Sequence, residues 1–139
     1  MTDLKALRTA VQDLRILVVD DEPEIRASVV EFMGKFFHHV DAAANGAEAL
    51  QLYQQALAQN QAFDVILSDI KMPVMNGWEL MHALKKSSST AFLALMTGSE
   101  EEARVIDQHP DCDVLLFKPI NIDTLVGFLN QLLDSRGLR

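Results

Sequence analysis

Five polar residues stand where short apolar runs stop. Asp20 and Asp21 follow residues 16–19, and Asp69 follows residues 65–67 through Ser68. Thr97 follows residues 92–96, and Lys118 follows residues 114–117. Held a few ångströms apart, three carboxylates repel. At ~4 Å two unit charges cost about 4 kcal/mol at an effective dielectric near 20. Such a cluster needs a cation, and hard oxygen ligands with room for water suit Mg²⁺. A carboxylate beside Mg²⁺ can attack a phosphoryl group and form an acyl phosphate. The metal and an ammonium group would neutralise charge on the transferring oxygens. A nearby hydroxyl could hydrogen-bond a phosphoryl oxygen and so sense it.

That chemistry requires the five residues to meet, and the surrounding pattern predicts that they do. Apolar runs at 16–19, 40–44 (the weakest), 65–67, 92–96 and 114–117 are short and β-branched, as strands are. The first, third, fourth and fifth are almost continuously apolar, which predicts strands buried on both faces of a parallel sheet. Helical patterns alternate with them. Pro23 opens one that carries Ile25, Val29, Phe32, Met33 and Phe36. Asn45 can cap another with Ala49, Leu50, Tyr53 and Leu57, and residues 77–86 carry Leu80, Met81 and Leu84. Ser99 can cap a very acidic helix over 100–108 that Pro110 stops, and Asn121 can cap the last, with Leu125, Phe128, Leu129 and Leu132. The fold class is therefore α/β. The (βα)₅ order gives a doubly wound parallel five-stranded sheet, a flavodoxin-like three-layer sandwich. In such a sheet the C-terminal strand ends share one edge, where ligands bind. All five polar residues belong to that edge.

Residues 1–15 precede the alternation as an amphipathic helical extension with Leu4, Leu7, Val11 and Leu14 on one face. Three roles are open to it: packing on its own domain, pairing with a second copy, or joining a larger architecture. Residues 16–135 form the main domain and 136–139 a tail. The chain of 139 residues is 49% hydrophobic, enough for one well-formed core. A formal charge of −8 argues against nucleic acid or an anionic membrane as partner. The single cysteine, Cys112, excludes an internal disulfide and suits a reducing compartment. No signal-peptide core opens the chain, and no apolar run nears the ~20 residues a membrane helix needs. A soluble, cytoplasmic protein is expected.

The stretches LVVDDEPEIR, ILSDIKMPVMNGWEL, LALMTG and FKPI resemble the four signatures of the response-regulator receiver domain of two-component signalling, in order and in spacing. The resemblance covers roughly residues 15–135. It implies that Asp69 is the phosphoacceptor. It implies that Asp21, Asp69 and the backbone carbonyl of Lys71 ligate Mg²⁺, with Asp20 acting largely through metal-bound water. Thr97 is then the switch hydroxyl, and Lys118 pairs with the phosphoryl group ahead of a cis bond to Pro119. Ile25, Ser28 and Phe32 lie on the surface where the family docks its histidine kinases or phosphotransfer proteins. Ile25 and Phe32 are equally suited to completing the core. The implied activity is self-catalysed phosphotransfer to Asp69 and hydrolysis from it, with no turnover of an external substrate. Its output is a changed surface on the helix after Ser99, the fifth strand and the helix after Asn121, read by a protein target. A homodimer through that face or through the N-terminal helix is a further option.

The family often carries an aromatic three residues before the lysine, where this chain has Leu115; Phe117 lies on the same strand face. Two other classes fit parts of the pattern. One is a pseudo-receiver, a constitutive interaction module that takes no phosphate. The other is an Asp-nucleophile phosphohydrolase, whose D-x-D spacing Asp20-Asp21-Glu22 lacks. His38 and His39, adjacent on a strand, would point to opposite faces and share no ion. His109 and Cys112 straddle Pro110 without partner ligands, and Trp78 is expected to pack partly on its helix.

Overall fold

The computed structural model describes residues 3–87, 89–101, 104 and 111–138. Five strands, β1 (Arg15–Val19), β2 (His39–Ala43), β3 (Val65–Asp69), β4 (Phe92–Thr97) and β5 (Val114–Phe117), form one parallel sheet in the order β2-β1-β3-β4-β5. The helices are α1 (Leu4–Val11), α2 (Pro23–Met33), α3 (Gly46–Ala58), α4 (Gly77–Lys86) and α5 (Ile122–Arg136). The expected helix over 100–108, with Pro110 and His109, falls largely outside the described residues. None of the described helices is long and apolar enough to cross a membrane.

The sheet splits the core in two because side chains alternate along a strand. Ile16, Val18, Val65, Leu67, Ala94 and Met96 face one cluster, completed by Met33 of α2 and by Leu125, Phe128, Leu129 and Leu132 of α5. Leu17, Val19, Ile66, Leu93 and Leu95 face the other, completed by Ala49 and Tyr53 of α3 and by Leu80, Met81 and Leu84 of α4. Asn45, Asn76 and Asn121 cap α3, α4 and α5, each accepting from a backbone N–H three residues on. At α4, Glu79 returns a bond to the Asn76 N–H and closes a capping box.

Three details differ from the sequence expectation. The fifth strand is not buried on both faces. It is a sheet edge, with Val114 and Leu115 half-buried and Phe117 50% exposed. The apolar pattern of the first inter-strand helix runs past its end, because α2 stops at Met33 and Phe36 is buried from the following turn. Leu57, expected on the core face of α3, is exposed in its last turn.

Of the three roles open to the N-terminal helix, packing on its own domain is the one its contacts display. Leu7 and Val11 are buried in the α2/α5 core and Leu14 packs against it. The Arg8 guanidinium lies 5.7 Å from the Phe36 ring centroid, and the His38 N–H donates to the Gln12 carbonyl. Leu4 remains exposed.

Candidate functional site

β1 and β3 are neighbours in register, Val19 opposite Ser68, so Asp20 and Asp69 leave the sheet side by side. One carboxylate oxygen from each of Asp20, Asp21 and Asp69 lies within 4.8 Å of the others. From β5, the Lys118 ammonium donates to Asp69 Oδ1 at 3.0 Å and stands 4.0 Å from Asp20 Oδ2. Among the described residues, one ammonium thus pairs with this group of three carboxylates. Asp20 is wholly buried, and its Oδ2 has no hydrogen-bond partner among the described residues. Burial pushes its pKa up, and the charges of Asp69 and Asp21 push it further, against the Glu22 N–H and Lys118. An unbonded buried carboxylate oxygen in an under-compensated trio of hard ligands fits a divalent cation such as Mg²⁺.

Thr97 ends β4, and its hydroxyl donates to the Ser99 carbonyl at 2.9 Å. The Thr97 carbonyl accepts from the Lys118 N–H at 2.7 Å, tying the ends of β4 and β5 together. The Lys118–Pro119 peptide is cis. Lys71 is exposed at the mouth and lines, with Asp21, Met72, Pro73 and Trp78, a cavity of about 440 Å³. On the other side a mainly apolar groove of about 550 Å³ runs between α2 and the loop after β5. Ile25, Ser28, Phe32, Pro119 and Ile120 line it, and Lys118 stands where it meets the acidic site. Ile25 is exposed there rather than completing the core, whereas Phe32 packs partly against it.

The loop from Asp69 to α4 is tightly specified. The Gly77 N–H donates to the Ile70 carbonyl, and a Cβ on Gly77 would collide with the Asp69 carbonyl and come within 2.9 Å of a Leu95 methyl. Only glycine lets α4 start against the strand end. Val74 has φ 69° and is 82% exposed, a strained conformation for a β-branched residue. Val74→Gly is expected to stabilise the protein by about 0.5–1 kcal/mol, strain relief outweighing the added unfolded-state freedom. Urea denaturation of the two proteins checks this, and an unchanged or lower midpoint would contradict it.

Two supporting residues escaped the sequence reading. The Arg26 guanidinium donates to the Asp20 carbonyl at 2.8 Å and steadies the loop after β1. Its signal was a charged residue four positions before Val30 and seven before Met33, on the core face of α2. Ser68 is fully buried, and its hydroxyl donates to the Asp69 carbonyl at 2.8 Å. Its signal was one hydroxyl inside an apolar run.

Residues 16–130 match the family model described as response regulator receiver domain. The chain is 31% identical over 122 residues to Protein PilH of Pseudomonas aeruginosa, covering 86% of this chain and 97% of that one. It is 30% identical over 125 residues to sensor protein EvgS of Escherichia coli, but spans only 10% of that longer protein. The response regulator protein TrrA of Thermotoga maritima, solved in complex with Mg²⁺ and BeF, superposes with a TM-score of 0.74 at 30% identity. That match covers 87% of this chain and 100% of TrrA. The family match over most of the chain, on a fold whose strand ends gather the acidic trio and the lysine, establishes that this chain belongs to the response-regulator receiver-domain family.

Proposed function

We propose that the chain is a phosphorylation-controlled switch in which Asp69 accepts a phosphoryl group from a histidine kinase or phosphotransfer protein. The observation that carries this is the pairing of the Lys118 ammonium with Asp69 Oδ1 beside the Asp20–Asp21–Asp69 cluster. A carboxylate oxygen of Asp69 bonds to phosphorus while the bond from phosphorus to the donor nitrogen breaks. The electron pair leaves with the donor imidazole. Lys118 neutralises charge on the phosphoryl oxygens. Asp21, Asp69 and the Lys71 carbonyl would hold Mg²⁺, with Asp20 behind them, and the ion would offset the charge that the donor phosphoryl brings. Thr97 would turn its hydroxyl from the Ser99 carbonyl toward the new phosphoryl oxygen. Hydrolysis of the acyl phosphate by water resets the switch.

Receiver domains are signalling modules that work with histidine kinases and downstream effectors. For this chain, the groove lined by Ile25, Ser28 and Phe32 is where the donor would dock, because it opens beside Lys118. The output surface would include β5, where Phe117 is half exposed, and α5. The Asp69 carboxylate carries about −1 and its acyl phosphate about −1.5 to −2, so a gain of up to about one negative charge, with the new phosphoryl oxygens as acceptors, would drive the change. Beryllium fluoride with Mg²⁺, a phosphoryl mimic, tests the switch by NMR. Shifts spreading from Asp69 through Thr97 to β5 support it, and a response confined to the metal ligands would sink it in favour of a constitutive interaction module.

A further inference from the structure

The nucleophile is held by a peptide group, and that peptide group is held by a serine. Ser68 lies on β3 between Val19 and Leu95 of the flanking strands, with no exposed surface. An apolar residue would suit such a place, as Ile66 does two positions earlier on the same face. A hydroxyl there costs free energy unless it is bonded. It donates to the carbonyl of Asp69 at 2.8 Å. That carbonyl belongs to the same planar unit as the Ile70 N–H, and in a trans peptide the two point in opposite directions. Fixing one aims the other. The Ile70 N–H donates to Asp69 Oδ1 at 2.9 Å, the same oxygen that takes the Lys118 ammonium at 3.0 Å. Both donors fall on Oδ1, which fixes the rotation of the carboxylate. Gly77 closes the far side of the carbonyl, because α4 starts against it.

We infer that Ser68 is a positioning residue for the phosphoacceptor: through the Asp69–Ile70 peptide it sets the rotation of the carboxylate. This rests on Asp69 being the nucleophile, whereas the orientation itself is a property of the unphosphorylated protein. Ser68→Ala removes one oxygen and leaves the packing almost unchanged. Ser68→Thr keeps the hydroxyl.

Two measurements decide the matter. The first is the Ile70 amide resonance without Mg²⁺. Ser68→Ala is expected to move its proton upfield and speed its exchange with solvent, while Ser68→Thr keeps the wild-type behaviour. The second is phosphorylation by acetyl phosphate at saturating Mg²⁺. The maximal rate of Ser68→Ala is expected to fall about tenfold, the scale on which small misplacements of a reacting group act. Mg²⁺ is kept saturating because Asp69 is itself one of the proposed ligands, and a turned carboxylate would also weaken the ion's binding. An Ile70 resonance that does not move in Ser68→Ala overturns the inference, whether the rate holds or falls with general loss of stability. Should the wild-type protein take no phosphoryl group, the receiver chemistry fails, and the Ile70 resonance still decides the orientation claim.

Discussion

Asp20→Asn is expected to raise the melting temperature of the metal-free protein and to reduce the further rise expected of the wild type with Mg²⁺. Asp20 is buried, its Oδ2 has no hydrogen-bond partner among the described residues, and it stands beside two other carboxylates and the Lys118 ammonium. Removing its charge relieves repulsion of a few kcal/mol at most, part of which Lys118 already offsets. A gain of about 1–3 kcal/mol, or on the order of 5 °C, is the expected size. The wild type would recover the deficit on binding the cation, which adds about 2.7 kcal/mol at a hundredfold excess over Kd. The same reasoning fixes a pH dependence. Asp20 has a raised pKa in the folded state, so above it the ionised carboxylate lowers stability. As pH falls toward that pKa the native state binds its proton before the unfolded chain does, and this unfavourable contribution is relieved. Metal-free wild type should therefore lose less stability on mild acidification than Asp20→Asn. Thermal scans of both proteins in EDTA and in Mg²⁺ across pH 5–8 (roughly the interval in which protein stability usually peaks) make the comparison. Equal Mg²⁺ responses would contradict it.

Lys118→Met separates metal binding from phosphoryl chemistry. The ammonium lies 3.0 Å from Asp69 Oδ1 and is mostly sheltered, 28% exposed. Without it three carboxylates face one another, and the metal-free protein should lose about 2–3 kcal/mol, less than a fully buried broken pair costs. Mg²⁺ should then bind more tightly, because a competing positive charge has gone. The rate of phosphoryl transfer should nevertheless fall about 10²–10³-fold, since in the proposed role Lys118 would donate to the transferring oxygens. Calorimetric Mg²⁺ titration and acetyl phosphate kinetics test the two halves. Weaker Mg²⁺ binding together with an unchanged rate would reverse the assignment of Lys118.

The placement of Asp20, Asp21, Asp69 and Lys118 was legible because it depends on two rules of high generality. Parallel strands in a βα alternation share one C-terminal edge, and a polar residue closing each apolar run lands on that edge. Phe117 was misread because periodicity carries no information on which strand ends up outermost. Its apolar neighbours resemble those of β4, yet only β4 has strands on both sides. The docking of α1 depended on contacts far along the chain, Leu7 and Val11 against the α2/α5 core, and its stripe alone suited a second copy equally well. Ser68, Arg26 and the positive φ of Val74 act through single hydrogen bonds or one backbone angle. A residue name marks such positions only as exceptions to the pattern around them.

The phosphoacceptor role proposed for Asp69 has a direct test. Intact-mass spectrometry after incubation with acetyl phosphate, with and without Mg²⁺, tests it on wild type and Asp69→Ala. Wild type is expected to gain one phosphoryl adduct that requires Mg²⁺, is removed by hydroxylamine as an acyl phosphate is, and is missing from Asp69→Ala. An adduct that persists in Asp69→Ala, or none on a folded wild-type protein that binds Mg²⁺, would contradict it.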